Sequence, residues 1–192
     1  AYKRCDLLTR IKINMTLPTP IVAMPDLELA HHRIHEGNHF FVHKIRTLVA
    51  ANPPVPIYFL VIPPPVPVNP IDTVEMHLIF EVSTEPGGTL KLFEDPTITI
   101  IGATTLEIIN NNRRSPTLSL ANVYENPTVT NIGTLIFEQA GGTILAGAEL
   151  GETNRNEEEL ILHPAKKYLF EYTPYSLLLS TTITFELNWY DN

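Results

Sequence analysis

Strict alternation of apolar and polar side chains in two segments constrains the fold of this chain more than any other feature of its sequence. The segments are residues 73–82 (TVEMHLIFEV) and residues 181–190 (TTITFELNWY), where apolar side chains occupy every second position. A period of two is typical of a β-strand that buries one face in a core and leaves the other largely in water. Such faces must be covered, so the pattern predicts β-sheets packed face to face.

Shorter β-rich runs recur along the chain at intervals of roughly 8 to 12 residues, the spacing of a sandwich or barrel. No window of a dozen residues has an apolar stripe at helical spacing, so minimal helix content is expected. Pro86-Gly87-Gly88 is a turn signal and predicts an antiparallel hairpin over residues 73–94. The sequence therefore predicts an all-β protein, an antiparallel, jelly-roll-like β-sandwich of about ten strands. The shorter runs are residues 40–49, 57–62, 98–101, 104–110, 117–124, 128–138, 159–163 and 166–172.

Proline positions divide the chain into an arm, a body and an insert. Residues 1–29 contain Pro18, Pro20 and Pro25 and predict an extended amino-terminal arm, because proline removes a backbone donor and keeps its predecessor extended. Residues 30–192 form the predicted β-sandwich domain, which begins after a turn signal at Glu36-Gly37-Asn38. Eight of the 17 prolines fall within residues 53–70, which we interpret as a proline-rich insert or loop around one short strand.

Charge and composition limit the partners of the chain. The net charge of −8 makes nucleic acid an unfavourable partner, because phosphates would be repelled. The charged fraction is only 18%, which predicts that some apolar surface is covered by partners. The apolar runs are broken by prolines and no secretion signal opens the chain, so no membrane partner is expected. A single cysteine, Cys5, predicts a fold independent of disulfides and assembly in a reducing cytoplasm.

Two groups of basic residues are the predicted partner-binding positions. Residues 1–12 carry four basic side chains against Asp6, which gives +3 (4 − 1) and suits docking on an acidic surface. A second basic pair lies in the predicted loop NNNRRSPT and could contact a partner carboxylate. The partner-binding candidates are Lys3, Arg4, Arg10, Lys12, Arg113 and Arg114.

Five histidines between residues 31 and 43 are the only constellation that points toward a metal site. Imidazoles brought together on a strand could ligate zinc or another transition metal, and the weak candidate ligands are His31, His35, His39 and His43. Their spacing matches neither HExxH nor the histidine–glutamate pattern of cupins, so we interpret them as structural or surface residues. His77 has Glu75 and Glu81 along its strand face, and a cross-strand hydrogen bond is its expected role.

Patterns required for catalysis are missing from the sequence. No GxSxG marks a nucleophile, and the glycine pairs at residues 87–88 and 141–142 precede no helix that could hold a phosphate. The glutamates at residues 157–159 are a run of like charges, which is typical of a solvated loop and not of a glycosidase pair. The sequence predicts a protein that is not an enzyme and that needs no cofactor.

Several ordered segments resemble a group of tailed-bacteriophage virion proteins. They are AHHRIHEGNHFFVHK, MHLIFEVSTEPGGTLKLFED, LEIINNNRRSPTLSLANVY, TNIGTLIFEQAGG, KKYLFEYTP and FELNWYDN, which together cover roughly residues 30–192. The similar proteins look like capsid decoration (cement) or head-associated proteins with a β-sandwich body. The resemblance implies a structural protein on the virion capsid surface, assembled in the host cytoplasm. Its implied partners are the major capsid protein and copies of itself, as a homo-oligomeric trimer or dimer.

Two alternatives stay open at this point. The first is a carbohydrate- or receptor-binding module of a head fibre or tail, for which Tyr124, Tyr172 and Tyr175 would be the stacking platforms. The second is a cupin-like metal protein, which depends on the histidine cluster alone.

Overall fold

The computed structural model describes residues 27–48, 54–66, 75–84, 87–102, 104–141, 159–175 and 181–191. These residues form one helix and thirteen strands. The bounds are α1 Leu27–Glu36, β1 His39–Leu48, β2 Ile57–Ile62, β3 Met76–Thr84, β4 Gly88–Glu94, β5 Thr97–Ile100, β6 Thr104–Thr105, β7 Ile109–Asn110, β8 Asn122–Glu125, β9 Thr128–Asn131, β10 Thr134–Gly141, β11 Leu160–Leu162, β12 Tyr168–Pro174 and β13 Thr181–Asp191.

The strand order identifies the fold as a jelly-roll β-sandwich. One sheet has the order β11-β3-β13-β1-β7 and the other has the order β10-β4-β12-β2-β8-β6. All the strand pairs are antiparallel. The eight strands β1–β4 and β10–β13 alternate between the sheets as two Greek keys require, with β4 and β10 adjacent in one sheet. The prediction of an all-β sandwich is confirmed.

Alternating side chains of both sheets meet in a single aromatic-rich core. Phe59 of β2 stacks on Phe185 of β13, with ring centroids 4.0 Å apart and ring planes 5° from parallel. Phe170 of β12 meets Phe185 and Phe80 edge-on, at 5.3 Å and 5.0 Å. Offset stacks and edge-to-face contacts are the favoured arrangements of aromatic rings. The two segments with strict alternation therefore supply central strands, β3 and β13, of the same sheet.

A two-stranded ribbon, β5 paired with β9, covers the outer face of the six-stranded sheet. Leu60, Phe93 and Leu169 point away from the main core and are nevertheless buried, because Ile98 and Val129 of the ribbon pack against that side. The six-stranded sheet is thus apolar on both faces where the ribbon lies. The ribbon is inserted between the fourth and fifth strands of the jelly roll.

The short strand predicted within the proline-rich segment is β2, which lies inside its sheet and not at an edge. β2 pairs with β12 on one side and with β8 on the other. Its side chains Phe59, Leu60 and Val61 are almost completely buried. The prolines flank β2 and none lies within it, so every backbone donor of the strand remains available for pairing. The remainder of the predicted insert, residues 53 and 67–70, lies outside the described residues.

The predicted hairpin over residues 73–94 is wrong. β3 pairs with β11 and β13, whereas β4 pairs with β10 and β12, so the two strands belong to opposite sheets. β3 ends at Thr84 in one sheet, and β4 begins at Gly88 in the other. Both strands bury an apolar face in the core. The two faces oppose each other across the core, whereas the strands of a hairpin would lie side by side in one sheet.

Helix α1 occupies the end of the predicted arm, and the predicted turn at Glu36-Gly37-Asn38 follows it directly. The predicted boundary at residues 29/30 falls inside this ten-residue helix, and residues 1–26 lie outside the described residues. Glu36-Gly37-Asn38 ends the helix: Gly37 has φ +80°, its N–H donates to Ile34, and the Asn38 N–H donates to Arg33. This bonding is a Schellman motif, which needs a residue tolerant of positive φ. Among the described residues, no helix has the length and apolar character to cross a membrane.

Candidate functional site

Three consecutive asparagines, Asn110, Asn111 and Asn112, bind the end of α1 to the sandwich. The Asn110 amide donates to the Gly37 carbonyl at 2.8 Å, and the Asn112 amide donates to the His35 carbonyl at 3.0 Å. The backbone N–H of Asn111 donates to the His39 carbonyl at 2.9 Å. Carbonyls at a helix carboxyl end lack intrahelical partners, and the side-chain amides of Asn110 and Asn112 satisfy two of them. We call residues 110–112 the asparagine clasp.

A row of three stacked rings crosses the outer face of the five-stranded sheet beside the clasp. His39, Tyr190 and His77 are direct register neighbours on β1, β13 and β3. The His77 and Tyr190 ring centroids lie 4.6 Å apart with 12° between the ring planes, and those of His39 and Tyr190 lie 6.5 Å apart. All three side chains are buried although they point away from the main core. They form a cover over this end of the sheet.

Hydrogen bonds fix both ends of this ring row. The Glu159 carboxylate lies 3.0 Å from Nδ1 of His77, and it also hydrogen-bonds the Tyr190 side chain. Burial raises the pKa of Tyr190 above its ordinary value, and Glu159 raises this pKa further. At the other end the Asn111 side chain hydrogen-bonds Nδ1 of His39, and burial lowers the pKa of this histidine. The cluster ties strands and clasp together, and the expected cross-strand bond of His77 is confirmed.

Asp191 follows the ring row and carries a buried oxygen. Its backbone N–H donates to the Asn38 carbonyl, while its Oδ1 has no hydrogen-bond partner among the described residues. Burial raises the pKa of Asp191 to about 6, compared with about 3.9 for an unperturbed aspartate. Between these two values the unfolded chain has released its proton and the native chain retains it. Stability therefore falls as the pH rises through this interval.

We expect Asp191→Asn to be more stable than the wild type by about 2 kcal/mol at pH 8, because an amide carries no charge to desolvate. The difference should shrink to about 0.5 kcal/mol at pH 4, where Asp191 is protonated in the native state and about half protonated in the unfolded state. Urea unfolding of both proteins between pH 4 and pH 8 measures this difference. His39 contributes equally to both proteins and cancels. A stability difference that does not change with pH would contradict the assignment.

An ion-pair network lies between the two sheets, toward the end of β1 that is remote from the ring row. Glu125 of β8 faces the core side and is buried, with Oε1 2.9 Å from Arg46 and Oε2 3.2 Å from Lys44. Arg46 also donates to the side chain of Asn126 at 2.7 Å. Lys44 and Arg46 lie on the same face of β1 as the buried core residues Val42 and Leu48. The network therefore fills with charge an interior position where the apolar core ends.

The candidate metal ligands do not converge. His35 lies on α1 and is exposed, His39 is buried in the ring row, and His43 is exposed on β1. His31 belongs to α1, but its side chain is not among those that the structure describes. Within the described ranges, no three histidine, cysteine, aspartate or glutamate side chains are grouped as a metal ion would require. The arrangement gives these histidines separate structural and surface positions.

The two predicted basic groups have different outcomes. Arg113 and Arg114 are exposed in the loop that follows the clasp, as the sequence predicts. The N–H of Arg114 donates to the Asn112 side chain at 3.1 Å, so the clasp also shapes the loop that carries them. The arm candidates Lys3, Arg4, Arg10 and Lys12, together with Cys5, lie outside the described residues.

The tyrosines considered for glycan stacking are mostly covered. Tyr172 is a core residue, and Tyr124 packs beneath the ribbon with Leu60 and Phe93. Tyr175 alone among the three is exposed. The burial of Tyr172 could not be predicted from period-two alternation, because its strand β12 has buried side chains on both faces.

Exposed apolar side chains lie at two edges of the sandwich, and sequence reasoning missed both groups. Leu118 and Leu120 are 83% and 62% exposed in the connection between β7 and β8, which the sequence had predicted to be part of a strand. Leu135 and Ile136 are 46% and 44% exposed on β10, the outermost strand of its sheet. Large apolar side chains grouped at a sheet edge mark a surface for interaction.

Comparisons with protein-family models, with curated protein sequences and with solved structures give no match to the chain. The assignment of the jelly-roll fold therefore rests on strand order and pairing.

Proposed function

We propose that this chain is a structural virion protein, a decoration or cement protein that binds the outer surface of a tailed-bacteriophage head and stabilises it. The observation that carries the proposal is a jelly-roll body whose polar clusters are engaged internally while apolar side chains are exposed at two of its edges. Such a body is suited to binding other protein surfaces. The assignment to tailed phages is supported by the sequence segments that resemble their virion proteins.

Placement of the candidate residues favours this function over the two alternatives. Jelly rolls occur in viral capsid proteins, lectins and cupins, so the fold alone does not select a function. A cupin-like metal protein needs converging ligands, whereas His35, His39 and His43 occupy separate places. A glycan-binding module needs exposed aromatic platforms, whereas Tyr172 is buried in the core. Covered surfaces between protein subunits require neither feature.

The amino-terminal arm is the proposed contact with the major capsid protein. Residues 1–12 carry a net charge of +3 on a chain whose total is −8, so they are the part of the protein that an acidic capsid surface would attract. Attraction of this kind weakens with salt, because the Debye length falls from about 10 Å at 0.1 M to about 3 Å at 1 M.

Binding to empty phage heads tests the proposed function. Purified protein should saturate expanded heads at a fixed copy number relative to the major capsid protein, measured by sedimentation and gel densitometry. A variant that lacks residues 1–26 keeps α1 and the sandwich and should bind heads at least tenfold more weakly. Circular dichroism of this variant controls for folding. Absence of saturable binding by the full chain would overturn the function, while undiminished binding by the shortened chain would overturn the role of the arm.

A further inference from the structure

The two exposed apolar edges lie on opposite sides of the sandwich. We call residues 113–120 the leucine edge; it connects β7 with β8, at the end of the sheets where β1 and β2 lie. We call the free side of β10 the β10 edge; it lies at the other end of the six-stranded order. Surfaces on opposite sides of a subunit cannot both meet their own copies across one two-fold axis. They can, however, meet each other in successive copies.

Both edges belong to the rim of the described sandwich. β10 pairs with β4 and is the outermost strand of its six-stranded sheet. Residues 116–120 belong to no sheet. Ser119 is held inward, where its hydroxyl accepts a hydrogen bond from Nε1 of Trp189 at 3.3 Å, and Leu118 and Leu120 on either side are exposed. This in–out alternation is the pattern of a strand, which can be added to an open sheet edge.

Apolar and charged side chains of the two edges are complementary. Leu118 and Leu120 match Leu135 and Ile136 in character, and all four are exposed. The leucine edge begins with exposed Arg113 and Arg114, whereas the β10 edge carries exposed Glu138. Glu138 lies 3.5 Å from Lys91 of its own chain. This ion pair leaves the Glu138 carboxylate able to interact with a second cation. The rest of each copy, −10 once the two arginines are set aside (−8 − 2), also attracts the basic loop.

We infer that the leucine edge of one copy binds the β10 edge of a second copy, head to tail, so that successive copies close into a ring. The inference deepens the homo-oligomer that the resemblance to phage virion proteins implies, and it rests on the proposed function. It names the two surfaces, and it excludes an isologous dimer in which either edge meets itself. A heterologous contact closes into a ring when its rotation permits and otherwise forms an open filament.

Cysteine cross-linking between differently labelled copies tests the pairing of the edges. In a Cys5→Ser background, Leu118→Cys and Ile136→Cys each place one thiol on one edge. A mixture of the two variants under mild oxidation should give at least tenfold more cross-linked dimer than either variant alone. The variant that carries both substitutions should give covalent oligomers that end at one size. Cross-linking of either single variant with itself, or none in the mixture, would overturn the head-to-tail pairing.

Charge introduced at the leucine edge provides the second test. Leu118→Glu with Leu120→Glu should convert the oligomer to a monomer in analytical ultracentrifugation, while Val55→Glu should not. Val55 is 62% exposed and lies in neither edge, so it is a matched control for adding charge to an exposed apolar position. Wild-type protein that is monomeric but saturates heads would overturn this inference and leave the function intact. An oligomer that fails to bind heads would overturn the proposed function and leave this inference intact.

Discussion

Phe185→Ala is expected to lower the free energy of unfolding by about 4 kcal/mol, the largest effect of any single substitution considered for this protein. Phe185 lies at the centre of β13, stacked on Phe59 at 4.0 Å and met edge-on by Phe170 at 5.3 Å. Truncation removes these contacts and leaves a cavity between two hydrogen-bonded sheets that cannot move together to fill it. A domain of this kind has about 5–15 kcal/mol of stability, so the variant should still fold at low temperature.

Two matched variants make this result interpretable. Phe185→Leu retains most of the apolar volume and should cost less than about 1.5 kcal/mol. Leu118→Ala removes a side chain that is 83% exposed and should change stability by less than about 0.5 kcal/mol. Urea unfolding followed by tryptophan fluorescence measures all three on the same scale. Similar losses for Phe185→Ala and Leu118→Ala would contradict the core position assigned to Phe185.

Glu125→Gln is expected to destabilise the protein by about 2 kcal/mol. The substitution preserves shape but leaves Arg46 and Lys44 facing the sandwich interior without a counter-charge. Removal of one partner from a fully buried pair costs about 3–5 kcal/mol, and the two cations here are about one-third exposed, so water screens part of that cost.

Glu138→Gln is the matched control for Glu125→Gln. Glu138 pairs with Lys91 at 3.5 Å, but its side chain is 49% exposed, so its loss should cost less than about 0.5 kcal/mol. Replacing Glu125, Lys44 and Arg46 together by Leu, Met and Met should recover most of the stability lost in Glu125→Gln, because no unpaired charge then remains. Equal losses for the two glutamine variants would show that burial does not distinguish these ion pairs.

Strand positions could be predicted from the sequence, but the partner of each strand could not. Alternation shows which side chains of β3 and β4 face the core, and both segments were located correctly. Alternation does not state which strand lies beside another, because any strand with one apolar face satisfies the pattern. A turn signal between β3 and β4 favoured a hairpin, and the pairing of β3 with β13, about 100 residues later, carries no local signal.

The features that build the polar clusters were missed for two physical reasons. Helix α1 is only ten residues long, and histidines occupy positions where an apolar stripe would be expected. A window of a dozen residues is longer than the helix and therefore does not detect it. The asparagine clasp and Glu125 act through contacts 70 or more residues apart in sequence, such as that of Asn110 with Gly37 and that of Glu125 with Arg46. In the sequence, the run of three asparagines is the only feature that indicates a hydrogen-bonded loop at this position.

The place of β13 in its sheet has a consequence for synthesis of the protein. β13 lies between β3 and β1, so the first strand of the body has its full-length partner only in the last eleven-residue strand. During translation β1 and β3 lack their shared partner until β13 has left the ribosome. Pairings this distant in sequence make folding slow and expose the nascent chain to aggregation. The five-stranded sheet therefore cannot be completed until β13 has been synthesised.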